Sequence, residues 1–199
     1  PRATPWLTER HGYDPTLSRK CLIISSSPRR KGNSEIFCQQ FAKGAMEAGV
    51  EVEKINLNDY NILPCLACEY CRHHDNQCIR KDDSNQVIQK MIDADIWLLA
   101  SPVYFYSISS QMKLLIDRMF AREYEIRNAK KRKDVYYLIT SGSPDHDQMT
   151  GTIESSRGFI KVLRTVDEKG IIYGTGAFLL GDAKKHVAFN QAYEMGKAV

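Results

Sequence analysis

At 199 residues with 43% hydrophobic content, the chain can bury one good core, and two independent cores do not fit this length. It contains no apolar run of about 18 residues or more, which excludes a membrane-spanning helix. The formal charge of +4 is too mild to mark a nucleic-acid-binding surface.

Residues 1–19 hold three of the seven prolines and no sustained period, so an N-terminal arm is expected there, outside a single domain over 20–199. Cys21 to Ile24 is a short branched apolar run, as a strand covered on both faces should be. Ser25, Ser26, Ser27 and Pro28 break it. Gly32 is placed for a tight turn, and Asn33 or Ser34 is the expected cap of a helix whose stripe is Phe37, Phe41, Ala45 and Ala48. Val50, Val52, Ile55 and Leu57 alternate with polar residues, which predicts a strand at the sheet edge. A cysteine-rich loop follows, and then a helix capped by Asp82, Asp83 or Ser84, with Val87, Ile88, Met91 and Ile92 on one face.

Ile96 to Ala100 is apolar throughout and reads as a central strand. It runs into a loop, Ser101 to Ser107, and a helix from Ser109 or Ser110 with Met112, Leu115, Ile116 and Met119 on one side. The basic run Arg127 to Lys133 is expected to be a solvated loop. A fourth strand, Val135 to Ile139, leads into the loop Thr140 to Asp145 and a helix with Met149, Ile153, Ile160 and Leu163 in its stripe. The strand Gly170 to Tyr173 and a closing helix from Asp182 complete the chain.

Strand and helix alternate five times with short connections, which predicts a parallel sheet covered by helices on both faces. Ligands of such sheets lie beyond the carboxyl ends of the strands, where the loops after strands one, three and four converge. The first loop gathers hydroxyls, an amide and Arg29 at a helix start, a combination suited to a phosphate. It is neither the G-x-x-x-x-G-K-[ST] nor the G-x-G-x-x-G nucleotide motif. The second offers Tyr104, Phe105 and Tyr106, whose natural partner is a flat ring system, with a plug over the core or a dimer contact as the alternative. In the third, Ser141 precedes Gly142, where a backbone can approach a ring closely. Lys113 and Asp117 read as an i,i+4 surface pair. His73, His74, His146 and His186 form no triad-like spacing, so hydrolysis is not expected and no catalytic side chain is assigned.

The segment Ser27-Pro28-Arg29-x-x-Gly32-Asn33-Ser34 resembles the FMN-phosphate loop of the flavodoxin-like NADPH-dependent FMN reductases and iron-sulfur flavoproteins. The pattern SPVYxxxxSxxxKxxxDR, here Ser101 to Arg118, resembles the FMN-ring loop of that family and the helix behind it. The resemblance spans roughly residues 20–199. It implies a flavodoxin-like three-layer α/β sandwich with a five-stranded parallel sheet in the order 2-1-3-4-5. It further implies FMN with its phosphate at Ser27, Arg29, Asn33 and Ser34, and its ribityl chain and ring against Pro102, Val103, Tyr104, Phe105 and Tyr106, with Ser141 and Gly142 nearby. NADH or NADPH would be the co-substrate, and free flavin, a quinone or another small molecule the acceptor. The pocket would lie in a homodimer or a dimer of dimers.

Cys65-x-x-Cys68-x-x-Cys71, followed after six residues by Cys78, is the sharpest spacing in the chain. Four thiolates so close can hold a [4Fe-4S] cluster or a tetrahedral zinc ion, or stand as free thiols covering the flavin or a subunit contact. The spacing departs from the ferredoxin run and resembles the compact cluster motif of iron-sulfur flavoproteins, which occupies this place between the second strand and the next helix. With a cluster, electrons would leave singly to a redox protein partner. Cys21 and Cys38 fall on core faces. The crowded cysteines and the absence of an apolar signal core lead to a cytoplasmic expectation. Two other classes share the fold: a flavodoxin-type carrier, whose usual acidity the charge of +4 does not match, and a flavin-binding sensor whose thiols report redox state.

Overall fold

The structure, a computed structural model, describes residues 18–199, so the expected arm lies outside the described residues apart from Ser18 and Arg19. The apolar runs form five strands, β1 (Lys20–Ser25), β2 (Glu51–Asn56), β3 (Ile96–Pro102), β4 (Lys133–Thr140) and β5 (Val166–Gly174). All pair in parallel in the expected order β2-β1-β3-β4-β5. β3, at the centre, is buried along its whole length, as its unbroken apolar sequence requires.

Alternation of side chains along the strands gives the one sheet an apolar layer on each face. Leu22, Ile24, Trp97, Leu99, Val135 and Tyr137 pack against α2 (Ser84–Asp93), α3 (Ser110–Arg118) and α5 (Thr150–Leu163). Cys21, Ile23, Leu98, Ala100, Tyr136 and Leu138 face α1 (Asn33–Glu47) and α6 (Ala188–Lys197). A short helix, α4 (Glu123–Arg127), follows α3. The result is the expected three-layer sandwich. Cys21 and Cys38 are 1% and 0% exposed, and burial pushes both thiols up to about 12.

Several boundaries differ from the sequence expectation. β5 begins at Val166, four residues before the expected Gly170, because its polar first half is an edge segment whose side chains form ion pairs: Asp167 with Arg132 and Glu168 with Arg157. A register shift opposite Val135 and Tyr136 makes Lys169 the extra residue of a bulge. Asp182 opens a single 3-10 turn, Asp182–Lys185, and the closing helix starts only at Ala188. The basic run is not wholly solvated: Lys133 is 7% exposed, and its ammonium donates to the carbonyls of Ile92 at 2.6 Å and Ala94 at 2.5 Å. Those carbonyls close α2, where a cation complements the helix dipole.

The start of α1 also differs. Neither Asn33 nor Ser34 caps it; the N-cap is Gly32, which has no side chain to offer. Gly32 has an ordinary φ of −70°, and the left-handed residue of the turn is Lys31 at φ 59°. Glycine suits position 32 because a Cβ there would lie 3.0 Å from the Arg29 carbonyl oxygen, tight enough that the turn would have to give.

Candidate functional site

The loops beyond the carboxyl ends of β1, β3 and β4 are stitched into one edge. The Ser26 N–H and hydroxyl both donate to the Ala100 carbonyl at 2.9 Å, and the Ser109 hydroxyl donates to Ser26 Oγ at 2.8 Å. Ser109 Oγ also accepts from the Met112 N–H, capping α3. Val103 N–H donates to the Thr140 carbonyl at 2.8 Å, and Ser141 N–H to the Gly174 carbonyl at 3.0 Å. Across the edge the buried Ser34 and Thr140 hydroxyls meet at 2.6 Å. These bonds fix the three loops relative to one another before any ligand arrives.

They enclose a cleft of about 180 Å³. Ser27, Arg29, Asn33 and Ser34 line one side of it, Pro102 and Tyr104 a second, and Ser141 and Gly142 a third. Val103 is half-buried and packs on the core below, outside this lining. Phe105 and Tyr106 also lie outside it, at the tip of a tight turn closed by the Tyr104–Ser107 bridge, with φ values of 49° and 61°. Phe105 is 102% exposed, so its ring contributes nothing to the core. The alternative that these aromatics plug the top of the core therefore fails for Phe105.

Sequence reading missed three lining residues, Thr140, Ala177 and Phe178. Thr140 ends β4, and its role shows only through the contact with Ser34. Ala177 and Phe178 belong to the loop after β5, which carries no turn motif tying it to the first loop. The tie is Asn33: its amide nitrogen donates to the carbonyls of Ala177 at 2.9 Å and Leu179 at 2.8 Å. Its amide oxygen accepts from Gly181 N–H at 3.1 Å and Ala183 N–H at 3.2 Å. The Asn33 side chain is thus spent on holding the 177–183 loop. Gly142 completes this wall, since a Cβ on it would lie 2.7 Å from the Phe178 ring. With Gly32 at the cap, no side chain closes the start of the fifteen-residue α1, and Arg29 stands exposed beside it. Uncapped N–H groups, the positive end of a helix and a guanidinium are a receptor for an anion.

The cysteine loop forms a second centre. Cys65, Cys68, Cys71 and Cys78 all line one narrow cavity of about 20 Å³, with Arg80 and Arg118 in the same lining. Cys65 and Cys68 are exposed, Cys71 is buried and Cys78 half-buried. Burial pushes the Cys71 thiol up, against the opposing pull of Arg72. Among the described residues no group of three or more His, Cys, Asp or Glu is arranged to hold a single metal ion. Around the loop, Arg72 Nη1, Arg80 Nε and Arg118 Nε are buried without a hydrogen-bond partner. Buried donors without acceptors are rare and need a reason. The expected Lys113–Asp117 surface pair is present at 2.6 Å.

Fold and site together define a flavodoxin-like α/β protein with a ligand cleft at the carboxyl edge of its sheet. Residues 19–166 match the NADPH-dependent FMN reductase family, and the chain belongs to it, among FMN-using oxidoreductases. An iron-sulfur flavoprotein of Archaeoglobus fulgidus is 30% identical over 191 residues, covering 90% of this chain and 93% of that protein. An iron-sulfur flavoprotein of Methanocaldococcus jannaschii is 38% identical over 99 residues, 50% of this chain and 51% of the relative, so that match spans about half the relative's length. Among solved structures, an NAD(P)H:quinone oxidoreductase from Methanothermobacter marburgensis superposes with a TM-score of 0.68 at 21% identity. It covers 91% of this chain and 96% of that one. At that identity the likeness concerns the fold.

Proposed function

We propose that the chain binds FMN in the 180 Å³ cleft, takes hydride from NADH or NADPH, and passes the electrons to a small acceptor such as free flavin or a quinone. The observation that carries this reading is the convergence of the loops after β1, β3 and β4 on one cleft beside an uncapped helix start. The backbone N–H groups at Asn33 and Ser34, with Arg29, bind the phosphate. Pro102 and Tyr104 hold the ribityl chain and one face of the ring, and Ser141 and Gly142 let the third loop approach its edge. FMN, when bound, supplies the hydride and electron chemistry. The protein residues therefore position, orient and exclude water, and none needs to act as acid or base. Anaerobic mixing with NADPH tests this: prompt bleaching of bound flavin is expected. Protein that neither carries FMN nor binds it at micromolar concentration would refute the assignment, and a flavin stable to NADPH would leave a carrier or sensor.

A second reading concerns where the electrons leave. Four cysteines around one cavity, beside three arginines with unsatisfied buried N–H groups, suit an anionic [4Fe-4S] centre. The two relatives named above carry the name iron-sulfur flavoprotein. Cys65, Cys68, Cys71 and Cys78 would hold the cluster, which supplies single-electron exit to a redox protein. About four irons per chain, with a broad absorption shoulder lost on reduction, would support this reading. Flavin without iron or zinc would leave free thiols. A homodimer or dimer of dimers in a reducing, cytoplasmic compartment is the matching assembly, and light scattering of FMN-loaded protein checks the former.

A further inference from the structure

Arg118, in the last turn of α3, is the most deeply buried cation near either centre, at 2% exposure. The flavin reading does not use it. Its Nη1 donates to Asp82 Oδ2 and to the Leu63 carbonyl at 2.9 Å, and its Nη2 donates to Cys78 Sγ at 3.1 Å. Asp82 in turn accepts from the Leu63 N–H at 3.0 Å and the Ser84 N–H at 3.1 Å. Leu63 precedes Cys65, and Asp82 follows Cys78. One buried ion pair therefore closes both ends of the loop that carries all four cysteines.

The pair cancels in net charge but leaves a donor unsatisfied. Asp82 engages one edge of the Arg118 guanidinium, while Nε stays buried without a partner. Arg80 Nε and Arg72 Nη1 are in the same condition, although Arg72 pairs with Glu123 at 3.0 Å and stacks on Phe120. Three guanidinium groups thus bring unsatisfied donors to a loop of four thiols. An iron-sulfur core bound by four thiolates is doubly negative when oxidised and gains one more negative charge on taking an electron. Nearby cations and hydrogen bonds to the sulfurs favour the reduced form and raise the potential.

We propose that Arg118 is the positioning residue of Cys78 and the counter-charge that raises the reduction potential of a cluster held by Cys65, Cys68, Cys71 and Cys78. The proposal rests on the iron-sulfur reading given above. One electron enters or leaves, no covalent bond changes, and Arg118 keeps its proton throughout.

The test compares wild type, Arg118→Lys, Arg118→Met and Asp82→Asn, all loaded with FMN and reconstituted anaerobically with iron and sulfide. Iron per chain and the midpoint potential from an EPR-monitored titration are the readouts. Arg118→Met should lower the potential, and Arg118→Lys should lower it less. Asp82→Asn, which keeps the cation and removes its opposing charge, should raise it. Opposite signs for the two partners are what a purely structural clamp does not give. If Arg118→Met fails to fold, as absent FMN binding would show, Arg118→Lys and Asp82→Asn still decide the sign. Equal iron loss in both variants, with an unshifted potential in the loaded fraction, overturns the role of Arg118 alone. Wild type that binds FMN but takes up no iron overturns the cluster reading and this inference with it.

Discussion

The cleft at the sheet edge and the cysteine loop are built in opposite ways. At the cleft, side chains and backbone already satisfy one another: Ser26 with Ala100 and Ser109, Ser34 with Thr140, Asn33 with the 177–183 loop. Non-glycine residues with left-handed backbone near the cleft are Lys31 in the first loop and Phe105 and Tyr106 in a turn outside the lining. The cysteine loop has non-glycine residues Ala67, Glu69, Asp75 and Asn76 at positive φ, exposed thiols, and arginine donors with nothing to donate to. The first is a product of folding and stands preformed. The second has the character of a segment completed by what it binds, so that binding and local folding are one equilibrium.

The sharpest way to break that contrast is to remove the buried ion pair that ties the loop to α3. Replacing Asp82 by alanine leaves Arg118 buried and uncompensated, and such losses cost about 3–5 kcal/mol. Urea denaturation should show it, with a matching rise in thiol labelling of Cys71. Acid should loosen the same clamp. Burial pushes the Asp82 carboxyl up, but hydrogen bonds from Arg118, from the Leu63 N–H and from Ser84 outweigh this and hold it at about 2, below its ordinary 3.8. A carboxyl depressed in the folded state contributes stability that is complete above the ordinary value and fades as pH falls toward the folded one. Urea midpoints should therefore drop further between those two values in wild type than in Asp82→Asn, in which the depressed Asp95, Asp167 and Glu168 still titrate. Parallel curves would show that the clamp does not report on the loop.

At the cleft, smaller effects are expected because the supports are many. A Cβ on Gly151 would lie 2.1 Å from the Tyr106 carbonyl oxygen, a backbone atom that cannot turn aside. Gly151→Ala should cost about 1–3 kcal/mol and displace the aromatic turn. FMN affinity measured by fluorescence should fall while iron uptake stays unchanged, and loss of both would mean the two centres are one cooperative unit. Asn33→Ala removes the side chain that satisfies two carbonyls and two N–H groups of the 177–183 loop, at about 1–3 kcal/mol. Faster proteolysis within that loop is the measurement that checks it.

Much of this was legible in the sequence, for physical reasons that differ by element. β3 announces itself because a strand covered on both faces must be apolar at every position, and Ser109 or Ser110 announces the start of α3 because a hydroxyl there can cap a helix. The polar start of β5 was illegible because its pairing is set by Arg132 and Arg157, distant residues that neutralise it at the edge. Lys133 looked like its neighbours in a basic run and differs only because α2 ends above it. Asn33 stands in the motif, but its side-chain partners are some 150 residues downstream, beyond any local pattern.

Ser34 tests how far the preformed cleft depends on any single bond. Its hydroxyl is buried against Thr140 at 2.6 Å, so Ser34→Ala leaves the Thr140 hydroxyl to find another partner. The expected loss is about 1 kcal/mol, the usual net worth of one neutral hydrogen bond. Because the cap residue is Gly32, no capping energy is lost with it, and the backbone N–H at position 34 remains available to an anion. FMN affinity should therefore fall by roughly tenfold at most, which corresponds to about 1.4 kcal/mol. Ser34→Thr, which keeps the hydroxyl, should recover most of it. A loss of a hundredfold or more would mean that the hydroxyl itself holds the phosphate and that Thr140 serves to aim it. An unchanged affinity would shift the phosphate toward Arg29 and Ser27, leaving the Ser34–Thr140 pair as a tie between loops one and three.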